Sequence, residues 1–200
     1  EAATFCDGPL TSINFLKEIA KIQPGHKVLI NGASGSLGTA AVQLAKYFRA
    51  EVTGVTSTRN IAFVKSLGAD HVIDYTRKDF TRSGKRYDII YDTVGKSSYR
   101  RSRKVLSVDG QYISPVLKFS LLLQMMWTLA ASKKKAKFAA SGLKSDKELR
   151  KLLAELIIIF GEGRLKTVID RQFPLEDVAS AHEYIAGGHK KGNVIIIVQS

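Results

Sequence analysis

Three evenly spaced glycines near the start of the chain have the spacing of a phosphate-binding turn. Gly32, Gly35 and Gly38 follow the short apolar run 28–30 and lead into a run with apolar residues at helical spacing. In a strand–turn–helix unit, the free N–H groups of the first helical turn point at an anion, so a pyrophosphate fits there. The spacing GxxGxxG differs from the GxGxxG of the commonest dinucleotide fingerprint. An ordinary glycine-rich turn is the alternative interpretation.

A second group of phosphate-binding side chains follows the predicted strand 51–56. Ser57 and Arg59 stand there, about 20 residues past the glycine loop, where an NAD-selective site would place a carboxylate for the ribose hydroxyls. A guanidinium and hydroxyls suit a phosphate instead, because arginine is always charged and donates in a planar fork. This position therefore favours NADP over NAD. The alternative is a solvated Arg59 at a helix start, with Ser57 as a helix cap.

Polar side chains also follow three other predicted strands. Tyr75 comes after the strand 71–74, where it could stack near an adenine or bond a 2′-phosphate, or simply be a half-buried aromatic residue. Asp92 and Thr93 end the next strand, and Ser114 ends the one after it. Since ligands of doubly wound sheets lie across the carboxyl ends of the strands, these residues are expected beside the ribose and nicotinamide. Asp92 could equally be a helix cap or a structural acceptor.

The elements that must position these residues alternate along the chain every 20–25 residues. Such alternation predicts an α/β fold with a doubly wound, mostly parallel sheet and right-handed crossovers, a Rossmann fold. The predicted strands are 27–31, 51–56, 71–74, 87–93, 110–114, an edge strand 137–140, 166–173 and 193–198. The predicted helices are 10–22, 37–48, 60–67, 97–106, 119–131, 146–160 and 175–186.

Composition indicates a basic protein with one substantial core. The chain has 200 residues, 44% of them hydrophobic, a net charge of +13 and one cysteine, Cys6. Basic residues concentrate at 77–104 and 133–151, a pattern that attracts nucleotide phosphates, acidic lipids or nucleic acid, or that forms an ordinary solvated face. The four histidines are scattered, so no metal site is predicted. A single cysteine fits a reducing compartment, the cytoplasm or an organelle interior.

The predicted helix 119–131 contains no charged residue. Thirteen residues span roughly 20 Å, which is short of the roughly 30 Å hydrocarbon core of a bilayer. We therefore expect a buried or interface helix. The lysine run at 133–135 leaves an interfacial contact with a membrane open.

Four segments together resemble the zinc-free quinone oxidoreductase branch of the medium-chain dehydrogenase/reductase superfamily. They read NGASGSLGTAAVQLAKYFRAEVTGV, VKSLGADHVIDY, YDIIYDTVG and GRLKTVIDRQFPLEDVASAHEYIAGGHKKGNVIIIV. The resemblance covers 1–115 and 150–198. It implies a hinge helix at 1–23, an NADP-binding Rossmann domain at 24–163, and a return segment at 164–200 whose strands would join a GroES-like N-terminal domain that this chain lacks. Because the chain begins at Glu1, we expect a fragment, with any upstream targeting signal not visible.

The resemblance implies NADPH-dependent reduction of a quinone or activated enone, with hydride transfer from the nicotinamide and no zinc. It also implies a homodimer through a sheet-edge strand, for which 137–140 is the candidate. The catalytic residues are not identified. Together with the glycine loop, it places the cofactor contacts at Ser34, Gly35, Ser36 and Leu37 for the pyrophosphate, Ser57, Arg59 and Tyr75 for the 2′-phosphate, Thr93 and Ser114 for the nicotinamide half, and His189, Lys190, Lys191 and Asn193 for a loop closing over the cofactor.

The chain departs from the family pattern at two of these positions. Ser36 stands where the family has glycine, so it would be strained if the position needs a positive φ. Asn193 replaces a usual lysine. Two other functions compete with the enzyme: a nucleotide-binding redox sensor or nucleic-acid binder acting through the basic face, with nucleic acid the less expected ligand, and a redox protein peripheral to a membrane.

Overall fold

The computed structural model describes residues 2–138, 145–188 and 190–198. Within these ranges, six parallel strands form one sheet in the order β3-β2-β1-β4-β5-β6. Two further parallel strands, β7 and β8, form a separate small sheet. The strands are β1 Lys27–Asn31, β2 Glu51–Thr56, β3 His71–Asp74, β4 Tyr87–Asp92, β5 Leu106–Ser114, β6 Lys135–Phe138, β7 Ile169–Pro174 and β8 Asn193–Ile197.

Helices connect these strands and cover the sheet. They are α1 Ala2–Phe5, α2 Gly8–Ile13, α3 Ser36–Tyr47, α4 Ile61–Ser66, α5 Tyr99–Ser102, α6 Phe119–Ala131, α7 Asp146–Gly161 and α8 Val178–Ala186. Short 3₁₀ turns precede α4 and α8 and follow α5. The prediction of an α/β, mostly parallel Rossmann-like sheet is confirmed. The strand order changes direction between β1 and β4, which is where ligands of such sheets bind.

Two apolar clusters make up the core. The larger one joins β1 and β4 to α2, α3 and α7, with Phe15, Leu44 and Leu156 fully buried. The smaller one centres on Leu29 and Ile90, on the other face of the same strands. Successive strand residues point to opposite faces, so a central strand buried on both sides needs a continuous apolar run. The sequence of β1 contains such an apolar run at 28–30.

Several element boundaries differ from the prediction. The predicted helix 10–22 is an α-helix only to Ile13 and then widens to a π-helix over Asn14–Ile19. The predicted helix 97–106 shortens to α5 and one 3₁₀ turn, because β5 already begins at Leu106. The sixth strand is β6 rather than 137–140, of which residues 139–140 lie outside the described residues.

The helix α6 has the predicted bounds and is buried on one face only. Phe119, Leu123 and Met126 are largely exposed, whereas Leu121 packs into the smaller cluster. Of the two expectations, a buried or an interface helix, full burial does not hold for this face, because the helix contacts mainly β6, a strand too short to cover it. Within the described ranges, no helix has the length and apolar content needed to cross a bilayer.

Candidate cofactor site

The glycine loop places the first turn of α3 at the carboxyl end of β1. Gly32 adopts φ +84°, which L side chains rarely adopt, and a Cβ there would lie 2.6 Å from Val94. Gly38 lets α3 approach the loop, since its Cβ would lie 2.1 Å from the Gly32 carbonyl oxygen. Gly35 is the N-cap and no side chain caps the helix. The first-turn N–H groups therefore suit an anionic ligand.

Ser36 is not strained in this loop. It is the first residue of α3, and the non-glycine residues with positive φ in the described part of the chain are Lys21 and Arg49. The conditional expectation of strain at this serine does not apply, because the position is helical.

A cavity of about 620 Å³ opens beside the loop, at the carboxyl ends of β1, β2 and β3. Parallel strands end at the same edge of a sheet, so residues far apart in sequence meet there. The cavity brings together six of the predicted contacts: Ser34, Gly35, Ser57, Arg59, Tyr75 and Lys190.

Hydrogen bonds hold Ser34 in position at the floor of this cavity. Thr56 Oγ1 donates to Ser34 Oγ at 3.0 Å, and Asn60 Nδ2 lies 3.2 Å from the same oxygen. The carboxylate at the end of β3, Asp74, is turned to other partners, since Thr58 Oγ1 donates to it at 2.5 Å. That bond, together with those from Thr76, holds the pKa of Asp74 below its ordinary value against the effect of desolvation.

Three cations that were not singled out in the sequence also line the cavity: Lys78, Lys96 and Arg101. Among its described lining residues, Asp79 is the one carboxylate, and Arg101 Nη2 lies 2.8 Å from its Oδ2. Burial raises the pKa of Asp79, but hydrogen bonds from Thr81 and the Arg101 guanidinium outweigh this effect and lower it. All three belong to the basic run 77–104, which the sequence analysis identified. The spacing of these residues in the sequence does not predict that their side chains line this cavity.

Asp92 is a structural acceptor, one of the two alternatives left open. It is 0% exposed and accepts from Asn31 Nδ2 at 2.8 Å, from the Gly95 N–H at 3.0 Å, from the Ser97 N–H at 2.9 Å and from the Tyr112 hydroxyl at 2.7 Å. Burial and the nearby Asp92 raise the pKa of Tyr112. This carboxyl therefore ties the ends of β1, β4 and β5 together.

Two predicted contacts for the nicotinamide half bond the backbone instead of lining the cavity. Thr93 Oγ1 donates to the Asn31 carbonyl at 2.8 Å, and Ser114 Oγ donates to the Asp92 carbonyl at 2.9 Å. Both lie at the strand ends where they were expected. Their hydroxyls brace β1 against β4 and β4 against β5.

The segment before β8 docks onto the glycine loop. The Gly192 N–H donates to the Ser34 carbonyl at 2.8 Å, and Ser36 Oγ lies 2.5 Å from Asn193 Oδ1 and 2.9 Å from Asp7 Oδ2. Lys190 Nζ donates to the Gly192 carbonyl at 2.6 Å.

Burial lowers the pKa of Lys190, partly offset by Asp7 and Asp170. The Lys191 N–H donates to Asp170 Oδ2 at 3.0 Å. His189 lies outside the described residues. Four predicted contacts, Ser36, Leu37, Lys191 and Asn193, border the loop without lining the cavity.

A search of the described residues for clusters of three or more His, Cys, Asp or Glu side chains able to hold a metal ion finds none. Cys6 is exposed and has a free thiol. The donor set in this part of the chain suits an anionic nucleotide, with cations and helix N–H groups converging on one cavity.

Comparisons with known proteins agree with this geometry. A family model described as zinc-binding dehydrogenase matches residues 67–196. A zinc-type alcohol dehydrogenase-like protein of Schizosaccharomyces pombe is 30% identical over 98% of this chain and 58% of its own length. A chloroplast envelope quinone oxidoreductase homolog of Arabidopsis thaliana is 33% identical over 98% of this chain and 61% of its own length.

Among solved structures, the quinone oxidoreductase from Coxiella burnetii superimposes with a TM-score of 0.86 at 28% identity, covering 99% of this chain and 60% of that one. The chain thus spans 58–61% of the length of these relatives. The match extends over the glycine loop, the six-stranded sheet and the segment before β8.

Proposed function

Because the chain belongs to the zinc-binding dehydrogenase family, in the quinone-oxidoreductase-like branch of the medium-chain dehydrogenase/reductase superfamily, we propose that it is the NADP(H)-binding part of a quinone or enone reductase. An oxidoreductase using a nicotinamide cofactor is the general activity of this family. The preference for NADPH, the quinone or enone substrate and independence of zinc are our proposals.

The charge of the cavity is the observation that carries the NADPH preference. Arg59, Lys78 and Lys96 line it, and its one described carboxylate is already paired with Arg101. A site for NAD needs a free acid for the ribose hydroxyls, whereas a 2′-phosphate needs cations. Among the described residues that line the cavity, the cations outnumber the carboxylate, so a doubly charged phosphate is favoured there.

Each part of the cavity has a proposed role. The first turn of α3, with Ser34, Gly35, Ser36 and Leu37, binds the pyrophosphate, and Ser57, Arg59 and Tyr75 bind the 2′-phosphate. Thr93 and Ser114 hold the strand ends beside the nicotinamide half, and residues 189–193 close over the cofactor. When bound, the nicotinamide supplies a hydride from its C4. The residues of this chain bind and orient the cofactor, and the substrate is a small quinone or enone.

Arg59→Asp tests the proposal at the 2′-phosphate. We expect the wild-type chain to bind NADPH tightly and NADH weakly, and the variant to lose at least about tenfold in NADPH affinity with little change for NADH, since about 1.4 kcal/mol corresponds to tenfold. Isothermal titration calorimetry at low and moderate salt measures both. Arg82→Asp is the matched control, because Arg82 lines a neighbouring cavity and carries the same charge change.

Equal binding of NADPH and NADH, or equal loss in both variants, would contradict the assignment. Binding of duplex DNA with a steep salt dependence, together with no binding of either cofactor, would favour the nucleic-acid alternative instead. The partners we propose are the small-molecule substrate, a second copy through β6 and a membrane surface. The compartment, cytoplasm or organelle interior, stays a prediction, as do the boundaries at 23 and 163.

A further inference from the structure

The helix α6 presents an apolar stripe to solvent. Phe119, Leu122, Leu123, Met126 and Trp127 follow the i, i+3, i+4, i+7, i+8 spacing of one helix face. Phe119 is 77% exposed, Met126 71% and Trp127 50%. An amphipathic helix on the surface of a soluble protein normally packs its apolar face against the core, whereas α6 exposes this face to solvent. An exposed apolar patch of this kind marks an interaction site.

Contacts on the opposite face fix this orientation. Leu121 packs into the smaller apolar cluster and Thr128 is fully buried. The Ala136 N–H lies 3.2 Å from Thr128 Oγ1, and Lys135 Nζ donates to the Thr128 carbonyl at 2.8 Å. The helix is therefore tied to β6, and rotating the stripe inward would break these bonds.

A cation contacts the Trp127 end of the stripe, and further cations flank the contacting segments in the sequence. The Arg103 guanidinium lies 5.7 Å from the centre of the Trp127 ring, and Lys104 and Lys133 are exposed nearby in the chain. From residue 97 to 137 the sequence contains one acidic residue, Asp109. An apolar face, a tryptophan at its edge and a basic rim are the features of helices that lie in the plane of an anionic membrane surface.

We propose that the α6 stripe docks on an anionic lipid bilayer, with Phe119, Met126 and Trp127 entering the headgroup–acyl boundary and Arg103, Lys104 and Lys133 facing lipid phosphates. At roughly 20 Å, the helix lies in the interface rather than across the bilayer. A second copy on the stripe would bring the same cations together, which like-charge repulsion disfavours. Lipid phosphates complement them.

The chain carries its own reporter, because Trp127 is its only tryptophan. We expect vesicles of equal parts phosphatidylcholine and phosphatidylglycerol to shift its emission to shorter wavelength and to float the protein in a density gradient. Pure phosphatidylcholine vesicles should do neither. Raised salt should weaken binding, since the basic rim is screened.

Met126→Glu is the decisive variant, and we expect it to lower the apparent vesicle affinity about tenfold or more, since it places a charge in the apolar face. Ile158→Glu is the matched control, because Ile158 is 60% exposed and belongs to a different helix, α7. Lys133→Glu should weaken binding to anionic vesicles and should not change the interaction with neutral vesicles. Circular dichroism and NADPH titration show whether each variant is folded.

Three results would overturn the proposal. If the Met126→Glu variant floats with anionic vesicles as well as the wild-type chain does, the basic surface alone is responsible for binding. Equal binding to neutral vesicles would remove the role of the cations. If the chain self-associates in the absence of lipid and Met126→Glu abolishes this self-association, the stripe binds a second copy of the chain.

Discussion

At the scale of residues, the net positive charge of the cavity lining depends on one ion pair. Arg101 and Asp79 lie 2.8 Å apart at its edge, while Lys78 and Lys96 line it as well. Without Arg101, the Asp79 carboxylate would face an incoming phosphate uncompensated. The guanidinium therefore acts partly by neutralising a carboxylate that would otherwise repel the ligand.

We predict that Arg101→Gln lowers NADPH affinity by about ten- to 150-fold, as expected for a charged contact worth about 1.5–3 kcal/mol. In an Asp79→Asn background the same change should have a smaller effect, because the carboxylate is gone. Arg100→Gln, on the same helix and not lining the cavity, is the control. Identical losses from Arg101→Gln in both backgrounds would disprove the neutralising role.

Ser36 and Asn193, the two positions that the sequence analysis expects to depart from the family pattern, contact each other. The Ser36 hydroxyl lies 2.5 Å from Asn193 Oδ1, and Asn193 Nδ2 donates to the Val168 carbonyl at 3.0 Å. A glycine at the first position would have no hydroxyl to bond, and a lysine at the second would have no acceptor. The contact between Ser36 and Asn193 therefore ties the start of β8 to the glycine loop.

At the scale of elements, the site depends on how closely α3 approaches the end of β1. The approach requires a residue without a side chain at Gly38, which lies against the backbone of Gly32 and Ala33. It sets the position of the first-turn N–H groups relative to the cavity. The packing of one helix therefore decides whether the loop can bind a pyrophosphate.

We predict that Gly38→Ala destabilises the protein by about 1–3 kcal/mol and weakens NADPH binding, because the new Cβ forces α3 away from the loop. Gly161→Ala, at the end of α7, is the control: a Cβ there meets nothing within 4 Å, so its stability should be unchanged or slightly higher. Urea unfolding and NADPH titration measure the two effects. A fully stable variant with intact binding would refute the close-packing argument.

At the scale of the whole molecule, β3 and β6 are the two outer strands of the parallel sheet that the described residues form. Burial lowers the pKa of Lys137 in β6, with Lys21 and Lys135 adding to the effect, and its Nζ donates to the Ile19 carbonyl at 2.8 Å. That cation is turned back toward its own chain. The Ala136 N–H points away from β5, toward Thr128 Oγ1 at 3.2 Å, so by the alternation along a strand the Phe138 N–H also faces away from β5, where a strand of a second copy would pair.

We predict that the chain forms a dimer of about twice its 22.0 kDa mass through this edge. Phe138→Pro should shift it toward the monomer, because proline removes an N–H that faces away from β5. His71→Pro, at the start of the opposite outer strand β3, is the control and should leave the dimer intact, since the neighbouring Asp70 N–H faces β2 and the His71 N–H therefore faces away from it. Sedimentation velocity distinguishes the two species, and a wild-type chain that stays monomeric at high concentration would exclude the edge as an interface.

The sequence by itself determined the local elements and the phosphate loop. Apolar periodicity and glycine spacing are local, so β1, β2 and β3 have the predicted bounds, and six predicted contacts line one cavity. Only the tertiary structure decided which distant side chains join them. Lys78, Lys96 and Arg101 reach the cavity through the fold, and α6 turns its apolar stripe outward because β6 covers only its other face. Whether a side chain is buried depends on packing partners that are distant in the sequence, and the local spacing of apolar residues does not identify those partners.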